Sequence, residues 1–266
     1  MTEKTLNNRK NGMVVLLLLV LVYVASVVLF IFGVSYDILP LTLISCVWFV
    51  FGWIFFLGLK VLKPQEALVL TLFGKYVGTL KNSGFYFVNP FCTAVNPAAG
   101  TKLNQSGDVK VLGAKQPSGG ADVSIDIPTK KISLKIMTLN NNRQKINDCL
   151  GNPVEIGIAV MWRVVDTAKA VFNVDNYKEY LSLQCDSALR NIVRIYPYDI
   201  APNVDTTGDG IADEGSLRGS SEVVAARIKD EIQDKVSEAG IEILEARITY
   251  LAYAPEIAAV MLQRQQ

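Results

Sequence analysis

The 266-residue sequence contains no histidine. That absence excludes Ser-His-Asp and Cys-His catalysis, histidine metal sites and an imidazole pH switch. Cysteine is scarce as well: Cys46, Cys92, Cys149 and Cys185 are widely spaced, and Cys46 lies inside an apolar run. With no Cys-x-x-Cys pair, neither a zinc site nor a disulfide framework is expected, and the thiols read as free in a reducing compartment. Blocks of one charge are also missing. At a formal net charge of +1 the chain lacks the basic footprint that nucleic-acid binding requires. There is no phosphate loop, no Gly-x-Ser-x-Gly elbow and no strand-borne Gly-x-Gly-x-x-Gly. No pattern places two carboxylates for acid–base work, so no catalytic residue, cofactor or metal is expected. A hydrolase with an unpatterned carboxylate pair is a distant alternative.

Long charge-free runs, in contrast, are present. Residues 13–34, MVVLLLLVLVYVASVVLFIFGV, and 38–59, ILPLTLISCVWFVFGWIFFLGL, are each long enough to cross a bilayer. The first exceeds a signal-peptide core and the second follows at once, so a cleaved signal fits poorly. Only Ser35-Tyr36-Asp37 separates them, which predicts a helical hairpin whose outer ends emerge on one side. Lys4, Arg9 and Lys10 precede the hairpin, Lys60 and Lys63 follow it, and its tip carries only Asp37. The positive-inside rule then puts both termini in the cytoplasm.

Beyond Lys63-Pro64, where the proline is expected to end the second helix, period-two patterning prevails to about residue 165. Val154, Ile156, Ile158, Val160, Trp162 and Val164 predict a strand with one buried face. Further strands are expected around 65–73, 85–91, 108–114, 121–127 and 131–138. Within LFGKYVGTLKNSGFYFVNPF (72–91), too interrupted by charge and glycine to be a third span, chain reversal is expected at Gly78 and at Asn82-Ser83-Gly84.

Helical periodicity takes over at Asp166, a candidate N-cap for TAKAVF, and at Asp175, a candidate cap for the next helix. That helix carries Tyr177, Leu181, Gln184, Ala188, Ile192 and Ile195 on its expected apolar face. A third helix over about 221–239 bears Val224, Ile228, Ile232 and Val236 at steps of four, and Gly240 stops it. A strand in IEILEARITYL and a helix opened by Pro255 complete the pattern. That last helix, about eleven residues to Gln266, is marginal alone, so Gln266 is expected to be a boundary rather than a natural terminus.

Taken in order, the blocks KPQEALVLTLFGKYVGTLKNSGFYFVNPF and NPVEIGIAVMWRVVDTAKAVFNVDNYKEYLSLQCDSALRNIV resemble the SPFH or Band 7 family of stomatins, prohibitins and flotillins. Pro64, Phe73, Gly74, Gly84, Phe87, Pro90 and Phe91 hold the first motif, and Arg163, Val164, Asp166, Ala170, Phe172, Ala188, Leu189 and Arg190 the second. The resemblance implies an α+β domain over 60–253, with a tail at 1–12, the transmembrane hairpin at 13–59 and the start of a C-terminal helix at 254–266. It further implies a homo-oligomeric scaffold on the cell (inner) membrane that binds without converting substrate. Such a scaffold organises a membrane patch or governs a membrane-bound ATP-dependent protease; an accessory subunit of a channel or transporter is the alternative. The lipid bilayer and another membrane protein are then the partners, and nucleic acid is not. Phe73, Phe85, Tyr86, Phe87 and Phe91 form the segment expected nearest the bilayer, packing the domain core or dipping into the headgroups. Arg227, Glu231 and Lys235, flanking the third helix's apolar stripe, are the candidate contacts between copies.

The stretch DTTGDGIADEGS imitates an oxygen-ligand calcium loop through Asp205, Thr207, Asp209, the Ile211 carbonyl and Asp213, with Gly210 at the turn. Its closing residue is Ser216 where a bidentate glutamate is required, so it reads as a polar surface loop. Titration calorimetry with calcium is therefore expected to give no heat of binding. A micromolar isotherm abolished by Asp209→Ala would contradict that reading.

Overall fold

A computed structural model describes residues 2–6, 11–101, 130–141, 143–199 and 215–258. The strands expected at 108–114 and 121–127, and residues 205–214 of the acidic loop, lie outside them. The chain forms two compact units, one from Thr2–Asn96 with Lys130–Leu134, the other from Pro97–Thr129 with Lys135–Gln266.

In the first unit, helix α1 (Gly12–Ser35) turns into α2 (Leu39–Phe51), which continues as a 3-10 helix over Gly52–Gly58. Gly12–Ser35, with 24 residues, and Leu39–Gly58, with 20, are long and apolar enough to cross a bilayer. The buried residues of α1 are Gly12, Leu19, Ser26 and Gly33, seven apart, and α2 buries Ser45, seven before Gly52. This spacing keeps one narrow seam of mostly small residues in register, so the helix backbones approach closely. The seam hydroxyls are met within their own helices: Ser26 Oγ donates to the Tyr23 carbonyl at 2.7 Å and Ser45 Oγ to that of Leu41 at 2.8 Å. The tip closes as Tyr36 N–H donates to the Phe32 carbonyl and Ile38 N–H to that of Gly33, with Asp37 at φ 51°.

The expected second helix through Leu59 is corrected. The chain tightens at Gly52 and becomes strand β1 at Leu59–Leu62, so Pro64 follows a strand, not a helix. The cause is pairing: Val88 N–H donates to the Gly58 carbonyl at 2.9 Å, drawing the backbone into a sheet. The remaining strands are β2 (Glu66–Leu72), β3 (Lys75–Leu80), β4 (Gly84–Phe87), β5 (Thr93–Ala94) and β6 (Ile132–Ser133). β4 pairs antiparallel with β1, while β2 pairs with β3, β5 and β6. The expected turns are therefore corrected too. β2 and β3 reverse at Phe73-Gly74, both at positive φ (48° and 83°) as a two-residue type I′ hairpin demands. Gly78 lies inside β3 beside a register irregularity, and residues 81–83 carry the chain to a different sheet. The strand expected over 85–91 ends at Phe87. Leu62, Leu68, Leu70, Leu80, Tyr86, Val88 and Cys92 make this unit's core. The N-terminal segment joins the same unit, as Leu6 N–H donates to the Thr79 carbonyl and Thr79 N–H to that of Lys4, each at 2.9 Å.

In the second unit, β7 (Met137–Asn140) and β8 (Gln144–Asn147) pair in tandem with one edge of β9 (Pro153–Val164). Helices α3 (Thr167–Phe172), α4 (Tyr177–Val193) and α5 (Ser221–Val236) follow, and β10 (Ile241–Tyr253) returns antiparallel along the other edge of β9. The strand expected over 131–138 is split between units because its halves have different partners: Ile132 opposes Ala67, and Met137 opposes Trp162. The alternation in β9 is as expected, with all six apolar residues buried. Asp166 caps α3 by accepting Lys169 N–H at 2.9 Å. The cap of α4 is Asn176, not Asp175. Asn176 Oδ1 accepts the N–H groups of Lys178 and Glu179 while its Nδ2 donates to Thr101 Oγ1, a second role that an ionised aspartate cannot fill. On α4, Tyr177, Leu181, Ala188 and Ile192 are buried as expected, but Gln184 and Ile195 are not; Cys185, Leu189 and Val193 complete the buried face. Val224, Ile228, Ile232 and Val236 of α5 are all fully buried in their own unit.

Gly240 ends the turn after α5 at φ 66°, and its carbonyl accepts N–H bonds from Val165 and Asp166. A Cβ there would lie 2.3 Å from the Asp166 carbonyl oxygen, whereas Gly151 (φ 83°) has nothing within 4 Å. Gly240→Ala is expected to destabilise the chain by more than ~2 kcal/mol, and Gly151→Ala by only about 1 kcal/mol. Denaturation of the full chain in detergent measures both, and equal losses would contradict the packing described.

Candidate membrane interface and contact surfaces

β1 leaves the helical hairpin at Gly58 and β4 returns towards it, with Leu62 opposite Gly84 and Leu59 opposite Phe87. Val88 N–H reaches the Gly58 carbonyl, so residues 89–91 continue beside the end of the second apolar helix. The contact is close at both ends of the hairpin. A Cβ on Gly58 would sit 2.4 Å from the Val88 carbonyl oxygen, and one on Gly12 would sit 2.7 Å from the Phe85 carbonyl carbon. Glycine is thus required where each helix meets β4.

This register separates the five aromatic residues expected near the bilayer. Tyr86 is buried, its hydroxyl donating to the Asn82 carbonyl at 2.9 Å, and belongs to the core. Phe85 and Phe87 are half-buried against the helix ends. Phe73 and Phe91 are 85% and 59% exposed, yet they stack on each other with centroids 6.4 Å apart and planes 26° apart. Phe91 is held by a tight turn in which Asn89 Oδ1 accepts its N–H and the Asn89 carbonyl accepts Cys92 N–H. Phe73 sits at positive φ, a rare conformation for a bulky side chain. Sequence patterning alone did not pair these two rings, because they meet across different strands. At the opposite end of β2 from Phe73, Lys131 bonds Glu66 at 3.0 Å. Burial raises the Glu66 pKa, but hydrogen bonds from Lys131 and the Lys63 N–H outweigh it and hold the carboxyl below its ordinary range.

The three candidate contact residues on α5 already have partners within their unit. Arg227 lies over the Tyr196 ring at 5.4 Å. Glu231 pairs with Lys235 at 2.9 Å and accepts from Asn191 Nδ2 at 3.3 Å, and Lys235 also reaches Ser187 Oγ. Two of the three thus brace α5 against α4.

Several described groups capable of chemistry are engaged in structure. Asp148 is buried and accepts four hydrogen bonds, from the N–H groups of Leu150, Asn152 and Tyr198 and from Asn152 Nδ2, tying a turn to the segment after α4. Burial pushes the Cys185 thiol up to about 12 and raises the Cys92 and Cys149 thiols as well, in Cys149 with help from the Asp148 charge. None of these three is poised as a thiolate nucleophile. Among the described residues no three acidic or cysteine side chains gather as a metal site. The acidic loop's closing residue, Ser216, is buried, and its Oγ accepts Gly219 N–H at 2.8 Å.

Hydrogen bonds from Lys235 and then Asn191 lower the Glu231 pKa. A carboxyl lowered on folding adds stability above its unfolded pKa and loses it as pH falls through the folded value. Glu231→Gln is therefore expected to cost about 0.5 kcal/mol at pH 7, as an exposed i,i+4 pair does, and nothing once both states are protonated. Denaturation at pH 7 and pH 3 tests this, and an equal loss at both would contradict it.

No curated protein matches this chain in sequence. The family model described as "SPFH domain / Band 7 family" matches residues 60–266, well over half of the chain, and the chain belongs to that family.

Proposed function

We propose that the chain is a two-span, membrane-anchored homo-oligomeric scaffold whose family domain faces the cytoplasm. Members of the family are generally membrane-associated, self-associating scaffolds rather than enzymes. The observation that carries the reading is the seam at Gly58 and Val88, which brings both ends of an apolar hairpin to one face of the first unit. With the hairpin in a bilayer, Phe91 and its stacked partner Phe73 lie at headgroup level, where aromatic rings are favoured. Gly84 and Asn82 lie farther out, since Gly84 is three residue steps along the strand from Phe87, about 10 Å at the usual rise. Lys4, Arg9, Lys10, Lys60 and Lys63 support the cytoplasmic side.

The scaffold positions other membrane proteins, a membrane-bound ATP-dependent protease being the partner class we favour. Copies meet through the exposed flank of α5, including Arg227, Glu231 and Lys235. Because these residues are engaged within the unit, each cross-copy ion pair adds only about 0 to 1 kcal/mol, and assembly depends on many weak contacts confined to the membrane plane.

Mass photometry of the full chain in mild detergent is expected to show a many-subunit species, weakened by Glu231→Lys. A monomer at micromolar concentration would remove the physical basis of the scaffold. Separately, a spin label at Phe73→Cys in nanodiscs should be more accessible to oxygen than to a nickel chelate, and one at Asn82→Cys the reverse. Equal accessibilities would contradict the aromatic contact.

A further inference from the structure

β3 stands at the end of its sheet, with β2 on one side and, among the described residues, only the start of the chain on the other. Thr5 and Thr79 form a single parallel bridge there, in which Leu6 N–H donates to the Thr79 carbonyl and Thr79 N–H to that of Lys4, each at 2.9 Å. Side chains grip the same few residues. The Tyr76 hydroxyl accepts Lys4 N–H at 3.2 Å and shares a 2.8 Å hydrogen bond with Thr79 Oγ1. Lys81 pairs with Glu3 at 2.5 Å, and only 13% of the Glu3 side chain is exposed. Gly78 is shaped to this occupant. A Cβ there would lie 2.6 Å from Leu6 Cγ and 2.9 Å from the Lys4 carbonyl oxygen, so the notch that receives Leu6 exists only where a side chain is missing. Leu6 packs against the core of the unit, and Thr79 is fully buried although its strand lies at an edge.

We infer that residues 3–6 are a detachable latch, which closes the outer edge of β3 against strand addition and opens without unfolding the sheet beneath it. An uncovered edge presents unpaired N–H and C=O groups to which a further strand can add. Here the chain's own start takes that place, selected by a notch for Leu6 and a cation for Glu3. The hold is small. One bridge, one ion pair and one leucine oppose the entropy of ordering the segment, whereas β2 and β3 are joined by five residue pairs over a shared core. Elements with so few contacts open locally, well below the free energy of global unfolding. The inference depends neither on the membrane reading nor on the α5 contacts.

Hydrogen exchange of the full chain in detergent tests the opening. The amides of Leu6 and Thr79 are expected to exchange at least about tenfold faster than those of β2, and Gly78→Ala to speed them further. Glu3→Lys should do the same, and adding Lys81→Glu should slow exchange again, since the charges are then exchanged rather than lost. That pair of variants leaves the Gly78 notch and the core intact, so it decides the matter even where Gly78→Ala impairs folding. For the edge, light scattering compares the two in a Glu231→Lys background, which weakens the α5 contacts proposed above. The Glu3→Lys chain is expected to form larger species than the charge-exchanged chain. Exchange of Leu6 and Thr79 at the rate of β2, failure of Lys81→Glu to restore protection, or equal sizes of the two chains would each overturn the latch.

Discussion

The first unit depends on one backbone seam, the approach of β4 to the two ends of the helical hairpin. At Gly58 the chain passes from helix to sheet, and the Val88 N–H fixes that transition. At Gly12 the first helix begins against Phe85. Both contacts are closer than a side chain would permit, so the hairpin and the β-strands hold a fixed register. The pairing of residues 4–6 with Thr79 adds a third tie at the start of the chain. Both ends of the hairpin thus meet the same small β-structure.

The second unit is organised around the long β9–β10 pair and the helices that bury its apolar face. Trp162 of β9 is fully buried and meets Tyr177 edge-on at 6.3 Å, joining the sheet to α4. Polar residues that could have been reactive are consumed by architecture: Asp148 by four donors, Asp186 by Asn141 and Gln144, Gln233 by the edge of β10. Among the described residues the exposed features are an apolar hairpin and a stacked aromatic pair. That distribution suits a protein that positions others.

Much of this was legible in the sequence. Strong periodicity located β9 and α5, whose apolar positions are all buried, and two charge-free runs located the helical hairpin. What could not be read depended on contacts between distant residues. Nothing local shows that Gly58 meets Val88, and the apolar run alone extends the second helix past its end at Gly58. Phe73-Gly74 matches a family motif in the sequence, and its two positive φ angles make it the hairpin turn. Asn176, not Asp175, is the cap, and its amide also donates to Thr101, 75 residues away. Of the candidate site residues, the aromatic set divided by burial into core and surface, a distinction that alternation could not make without knowing that β4 pairs with β1.

The central claim, that a two-span hairpin returns the chain to the side from which it started, is tested most directly by labelling in intact cells. A membrane-impermeant thiol reagent should modify a cysteine introduced at Ser35, in the hairpin tip, and leave one at Asn82, between β3 and β4, unmodified until the cells are opened. Labelling of the Asn82→Cys chain in intact cells, with the Ser35→Cys chain protected, would contradict the cytoplasmic orientation; labelling of both would contradict the hairpin itself.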